Sequence, residues 1–570
     1  MRTAIVLLAL LLLPAVAIAD KAADCTETSG AVTVPACDAA INAAPKSAQL
    51  YLLRGYAFQG ENNPDRALAD YAKAIELDPL FARAYLQRGI LLRDRRQYPV
   101  AINDFDQALK IDASLYETYF HRGLVYYLQG LNSAAVIDLY KASVRLPDDA
   151  KIQYFLSSAY LASDKLNAAI SSANRAISLD PNYADAFSAR GFAYFSDGDS
   201  KAAVSDFSRA VTLAPKLVAA YFGRGLAYEA LGNDDKAIAD FDKTLDLEPT
   251  HAAAQFARAR LYTYKNDGKI ALAGFTKAIS LAPNRSDYFA ARGREYLRTN
   301  DIRRALADCG KAVNLAPKAV EGYECRAMAL ARQQDYAGAV ADFSRVLGIG
   351  SASPRILRAR GGAYEGLGDA AKAMVDFDRA IEIEPSGPWN FIDRGRAYML
   401  AGNALKALAD FDMAVALGPD DGMTYLSRAN GKFDMGDFSG AIADYDSALQ
   451  HHALDAEHDA YILLMRFLDL THMGRTSTGE LDQQAGGLLK KGWPFPVVEL
   501  YLGKRTPAAT LKAAGNADEM CEAHYYVGQW RLAQADTAGA AKELKVAAAT
   551  CPHDFIEYRS ALAELKRLAP

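Results

Sequence analysis

The chain has 570 residues, 51% of them hydrophobic and 10% aromatic, a content that excludes a disordered, charge-expanded chain. Its 64 Lys and Arg against 69 Asp and Glu leave a net charge of −5, so the chain as a whole offers no counter-charge for nucleic acid or anionic lipid. At this length a single core is too large, unless the chain builds its core by repetition.

Residues 1–19 read as a secretory signal. Arg2 gives a positive start, Ala4 to Leu13 an apolar run, and Ala17-Ile18-Ala19 a small-residue cleavage motif before Asp20. The apolar stretch Ala4 to Ala19 is 16 residues, short for a spanning helix, and an uncleaved anchor is the alternative. Cys25 follows Asp24, well past that stretch, which speaks against lipid attachment. The chain is therefore expected to be exported, periplasmic or secreted, with no integral membrane segment after signal removal. Residues 20–47 form a lead-in in which Ala36 to Ala44 reads as an orphan second helix, capping the repeat that begins at residue 48.

From 48 to 455 a 34-residue pattern recurs twelve times without insertion or deletion, starting at residues 48, 82, 116, 150, 184, 218, 252, 286, 320, 354, 388 and 422. Position 20 is Ala in all twelve copies, position 8 is Gly in eight, position 24 is aromatic in nine and position 32 is Pro in nine. Each copy holds two apolar-periodic runs around a polar turn such as Leu231-Gly232-Asn233-Asp234, which predicts an antiparallel helix pair ended by proline. In such a hairpin the small residues at 8 and 20 are expected to meet, with the aromatic at 24 filling the space between helices. Position 7 is Arg in eleven copies and position 23 is Asp in ten, as in Arg224/Asp240 and Arg394/Asp410. These positions face one another across the hairpin and predict a ladder of ion pairs; Asp bonding to the next repeat's backbone is the alternative.

This pattern of small, aromatic, alanine and proline positions resembles the tetratricopeptide repeat (TPR) family. The resemblance implies an all-α, right-handed superhelical solenoid of helix-turn-helix repeats. Arg at position 7, where the family usually has Leu, is a departure. The resemblance also implies that partners dock on an inner, concave surface built from positions 2, 5, 9 and 12 of the first helices. In the early repeats those positions give an apolar lining that includes Leu52, Tyr56, Leu86, Ile90, Phe120, Tyr127, Tyr154, Phe192, Phe195 and Phe222. In the later ones they give Arg260, Arg294, Arg355, Arg358 and Arg396, tempered by Glu321, Glu324 and Glu365. Exposed apolar stripes mark docking sites; packing of the superhelix on itself is the other reading. The Lys/Asn pattern that clamps a peptide carboxylate in chaperone-binding relatives is absent.

After Asp455 the register breaks. His451, His452 and His458 lack metal-ligand spacing and read as a solvated turn. Residues 456–516 form a degenerate helical linker region, with helices expected over 457–473 and 478–491, a breaker at Gly492-Trp493-Pro494-Phe495-Pro496, and short helices over 497–502 and 507–514. Residues 517–570 hold a final repeat, with Gly528, Ala540, Ala547 and Pro552 at positions 8, 20, 27 and 32, and a closing amphipathic helix over 555–568 with Phe555, Tyr558, Leu562 and Leu565 on one face. The six cysteines suggest three candidate disulfides in sequence order, Cys25–Cys37, Cys309–Cys325 and Cys521–Cys551. Free buried thiols are the alternative for the middle pair, and no spacing matches a zinc site. The stretches Glu499 to Lys504 and Phe555 to Arg559 resemble the C-terminal part of NlpI-type TPR lipoproteins of the bacterial envelope, which implies a non-enzymatic adaptor.

No GxSxG, HExxH, Walker or Rossmann pattern is present, so no catalytic residue, cofactor or metal is assigned. The expected function is an exported scaffold for protein or peptide partners, with no nucleic acid. A cell-wall or surface glycan binder, or an enzyme with a site in 456–516, are the competing readings. The sequence leaves the oligomeric state open.

Overall fold

The structure, a computed structural model, describes residues 25, 32–350, 352–451, 456–475, 478–485, 492–553 and 555–569. The signal expected at 1–19 lies outside them, as do His452, the His458 side chain and the end of the helix expected over 478–491. Every regular element among the described residues is an α-helix.

The helices keep the 34-residue register. In most repeats a 13-residue first helix begins at position 1 and a 14-residue second helix at position 17, as in Val218–Ala230 and Asp234–Leu247. Local chemistry sets the turn between them. Position 15 takes a left-handed backbone in every repeat, at Gly232 (φ 70°) and Asn62 (φ 57°) for example, which suits Gly and Asn. Position 16 is often an Asp whose carboxylate accepts the N–H three residues on, as Asp199 does from Ala202 and Asp301 from Arg304. Proline at position 32 lies two residues beyond the second helix and blocks its continuation. The lead-in forms one helix, Val34–Ala43.

Packing within a hairpin differs in one respect from the expected meeting of positions 8 and 20. The space left by glycine at 8 is taken by the side chain at 24: a Cβ built on Gly225 falls 2.6 Å from the Phe241 ring, and the same holds for Gly89 under Phe105 and Gly395 under Phe411. One edge of the ring fills the place where no side chain stands, and Ala237 closes the core beside it.

The arginine ladder is present and has two arms. Ten arginines at position 7 meet the aspartate sixteen residues on; Arg224 donates Nε to Asp240 Oδ2 and Nη2 to Asp240 Oδ1, both at 2.8 Å. The aspartates are buried and the arginines half-buried. The second arm has no counterpart in the sequence expectation. Nη1 reaches sixteen residues back to position 25 of the preceding repeat: Arg122 to Asp106 at 2.5 Å, Arg394 to Asp378 at 2.7 Å, Arg428 to Asp412 at 2.9 Å. Arg54 reaches Asp38 in the lead-in helix at 2.7 Å, so that helix holds the place of a second helix. In repeat 4, where Leu156 and Ser172 replace the pair, Leu156 joins an apolar core with Leu139 and Ile152.

The described residues fall into two compact units, divided between Leu261 and Tyr262. The first is a series of small cores, each shared by neighbouring repeats, such as Leu52 and Tyr71 with Ala84 and Leu91. The second continues this pattern and ends in a larger core. There Phe433 and Tyr445 of repeat 12 pack with Ile462, Leu464 and Leu468 from helix Ala456–His472, with Val497 and Val498 from Phe495–Tyr501, and with Tyr525 and Tyr526 of the final hairpin, Ala517–Ala533 and Thr537–Thr550. Helices Ala456–His472 and Phe495–Tyr501 are thus built into one core with the repeats on either side.

At the closing helix, Ile556–Arg567, the residues Phe555, Tyr558 and Leu565 of the expected stripe pack against the core, but the most deeply buried residues lie beside that stripe. Leu562 is 45% exposed, whereas Glu557, Ser560, Ala561 and Glu564 are buried. The buried groups find donors: Tyr526 Oη donates to Glu557 at 3.2 Å, His472 Nε2 lies 3.3 Å from Glu564, and Arg567 pairs with Glu564. Apolar periodicity could not show the buried carboxylates, because their partners come from distant helices at the edge of the hydrophobic core.

Candidate partner-binding face

The first helices carry the residues that vary between repeats, and the cavities along them collect at positions 2, 5, 9 and 12 in the first unit and at 9, 12 and 13 in the second. In the first unit a slot of about 380 Å³ is lined by Tyr127, Tyr154, Leu161, Asp185, Ala189 and Phe192, among others. Tyr154 is held by Phe155 (ring centroids 4.8 Å apart) and Tyr183 (5.3 Å), and Phe192 stands edge-on to Phe207 at 4.8 Å. Burial pushes the Tyr154 hydroxyl up to about 12. It stays protonated at neutral pH.

The other aromatic candidates are not in this slot. Tyr56 stands edge-on to Tyr71 and Ile90 packs with the core of repeats 2 and 3. Phe195 packs at the core of repeats 5 and 6, and Phe222 sits against His251 and Phe241. Leu52, Leu86 and Phe120, all at position 5, are buried and therefore belong to the core, whereas Tyr56, Ile90, Phe195 and Phe222 stay half-buried along its edge.

The arginine candidates divide sharply by charge pairing. Arg260 meets Glu229 at 2.7 Å and Arg355 meets Glu324 at 2.5 Å. Arg358 meets Asp393 at 2.5 Å with its guanidinium over Trp389, and Arg396 lies 2.9 Å from Asp393 and 3.4 Å from Glu365. Arg294 is exposed and has no such carboxylate among the described residues. Arg294 and Arg396 line a second cavity, of about 510 Å³, with Leu297, Met328, Arg332, Tyr336 and Gly362; Arg355 and Arg358 do not. Arg332, at position 13, lies outside the positions 2, 5, 9 and 12 that the sequence pattern singles out.

A third cavity, about 880 Å³, lies between the turns of repeats 10 to 12 and the closing helix. There Ser560 Oγ donates to Asp434 Oδ1 at 2.5 Å, and Arg567 Nη2 donates to the carbonyls of Phe433 (2.6 Å) and Asp434 (2.8 Å). Burial raises the Asp434 carboxyl and lowers the Arg559 guanidinium from their ordinary values. This contact is not legible in sequence, since it joins residues more than 120 apart.

The cysteines fall into the three sequence-order pairs with sulfurs at bonding distance, the Cα atoms 4.9, 5.5 and 5.1 Å apart. Cys309 takes the position-24 place above Gly293 and meets Cys325 in the first helix of the next repeat. Among the described residues no group of three or more His, Cys, Asp or Glu could hold a metal ion, and no helix is long and apolar enough to cross a membrane.

Models of the family described as Tetratricopeptide repeat match residues 48–79, 184–217, 218–251, 290–354 and 326–388, and one described as TPR repeat matches 91–130 and 158–198. Among solved structures, MamA is similar at 32% identity over 30% of this chain and 94% of that one, with a TM-score of 0.27. YrrB, a TPR protein with an unusual peptide-binding site, is similar at 26% identity over 33% of this chain and 97% of that one, TM-score 0.29. A thermophilic TPR protein of Thermus thermophilus is similar at 25% identity over 32% and 99%, TM-score 0.29. With twelve hairpins in one register and seven stretches matched by these models, the chain is a solenoid of tetratricopeptide repeats.

Proposed function

We propose that this protein is a non-enzymatic scaffold that binds protein or peptide partners on the face of its first helices, and that it works in the cell envelope after export. Proteins of this fold commonly act as protein-interaction scaffolds. The observation that carries the reading is the position of the slot at Tyr154 and Phe192 and of the groove at Arg294: both open where the repeats differ, while the constant positions are spent on the core. The signal-like leader, the three cysteine pairs and the NlpI-type C-terminal stretches support the exported setting. The aromatic lining of the first slot keeps glycan binding as a second reading.

A photo-crosslinking residue placed at Phe192 or at Arg294, with Lys243 on a second helix as control, tests this in cells. Discrete protein adducts from the first two positions and not from Lys243 are the expected result. The same adducts from all three, or none from Phe192 and Arg294, would refute it; recovery of glycan without protein at Phe192 would favour the second reading.

A further inference from the structure

Resting on that reading, we propose that the groove of repeats 8 to 11 takes an acidic protein segment, with one apolar side chain on the groove floor and carboxylates against Arg294 and Arg332. The floor is built of Leu297, Met328, Tyr336 and Ala359, and it is open because Gly362 stands at a position held by Tyr, Phe or Leu in several earlier repeats. A Cβ built on Gly362 meets nothing within 4 Å. At about 510 Å³ the cavity is large enough for a Leu or Phe side chain with its backbone.

Charge selects the occupant. Along this part of the face each arginine is neutralised by a carboxylate of the chain itself, Arg298 by Glu295 at 2.6 Å and Arg355, Arg358 and Arg396 as above, save two. Arg294 and Arg332 are both exposed, both line the cavity, and neither pairs with a carboxylate among the described residues. The lining carboxylate Glu365 is engaged with Arg396. The groove therefore has positive charge without an internal partner beside an apolar floor, in a chain whose net charge is −5. A partner carboxylate at each arginine gains charge-assisted hydrogen bonds that the protein alone leaves unmade. Two cations beside a small apolar floor match a peptide better than a nucleic acid, which needs a run of cations along its backbone.

The test pans a displayed pool of random peptides, each about twelve residues, on the immobilised full chain, with R294E/R332E and Gly362→Leu chains alongside. All three substitutions are at positions with open surroundings, and unchanged helicity by circular dichroism checks folding. The expected result is enrichment of Asp and Glu around an apolar residue. Retained peptides should bind R294E/R332E at least ~10-fold more weakly and should also be lost from Gly362→Leu. Enrichment of Lys or Arg, acidic peptides that ignore the arginine reversal, or an oligothymidylate that displaces them would overturn the proposal. Neutral peptides that are lost with Gly362→Leu but keep binding R294E/R332E overturn the charge assignment and leave the face a docking surface. A pool in which nothing responds to either change overturns both the assignment and, for this groove, the reading beneath it.

Discussion

The ladder offers the most direct test of how the solenoid is held, at Arg224 and Asp240. Asp240 is 6% exposed, and two bonds of 2.8 Å tie both its oxygens to a guanidinium whose side chain is 19% exposed. Replacing Arg224 by Gln leaves a buried carboxylate facing a neutral amide, at a cost of roughly 2–4 kcal/mol. Asp240→Asn leaves the less buried arginine, which water can reach, so the cost is lower, about 1–2 kcal/mol. In the double variant the neutral groups can bond each other, and the two losses should fall short of additivity by about 2 kcal/mol. A solenoid of this length need not unfold in one step, so a single midpoint is a poor readout. Native-state hydrogen exchange followed by mass spectrometry gives the local opening free energy of repeats 5 to 7 directly. Additivity within about 0.5 kcal/mol would mean the pair is geometric company without coupling, and the reasoning would fail.

Other outcomes can be checked on the same preparation. Phe241→Ala should lower the opening free energy of repeat 6 by about 3–5 kcal/mol, and Gly225→Ala by about 1–3 kcal/mol because its Cβ meets the ring; both are read by hydrogen exchange. Reduction of an oxidised sample, or Cys309→Ser with Cys325→Ser, should destabilise repeats 8 and 9 by about 3 kcal/mol, since the pair closes a loop of separation 16. Asp469 is buried with neither carboxylate oxygen bonded among the described residues, and burial raises it from 3.8 to about 8. Its stabilising contribution is complete below pH 4, where both states are protonated, and is lost as the pH rises through 8. Asp469→Asn keeps the neutral form, so the opening free energy of its helix, Ala456–His472, read by hydrogen exchange corrected for intrinsic rates, should gain on that of the parent chain by about 1.4 kcal/mol per pH unit between pH 5 and 7. A gap that does not change with pH would rule out ionisation of Asp469 as the cause.

Local and periodic features are readable from the sequence because each repeat solves the same packing problem twelve times. Ala237, Phe241 and the Arg224/Asp240 pair recur at fixed offsets, so one correct placement determines the rest. The second arm of the arginine escapes such a reading because position 25 changes identity, being Asp106 in one copy, Ser208 in another and Gly310 in a third, and only its place in space is constant. Family position numbers point to the proposed partner face but not to its chemistry. Arg355 and Arg358 look alike in sequence to Arg294, yet carboxylates 31 and 35 residues away neutralise them. Phe120 at position 5 and Phe192 at position 9 are both aromatic at first-helix positions, yet one is buried in the core and the other lines the slot.

The closing helix also sets the length of surface a partner can use. By tying Ser560 to Asp434 and Arg567 to the end of the first helix of repeat 12, it acts as a tenant already seated at that end of the array. On the scaffold reading proposed above, the repeat count therefore overstates the surface open to a partner, and a chain ending before Phe555 would uncover turns of repeats 10 to 12 that the closing helix covers in part. Variation in the last dozen residues among proteins of this design would alter how long a partner they can hold, without touching a single repeat.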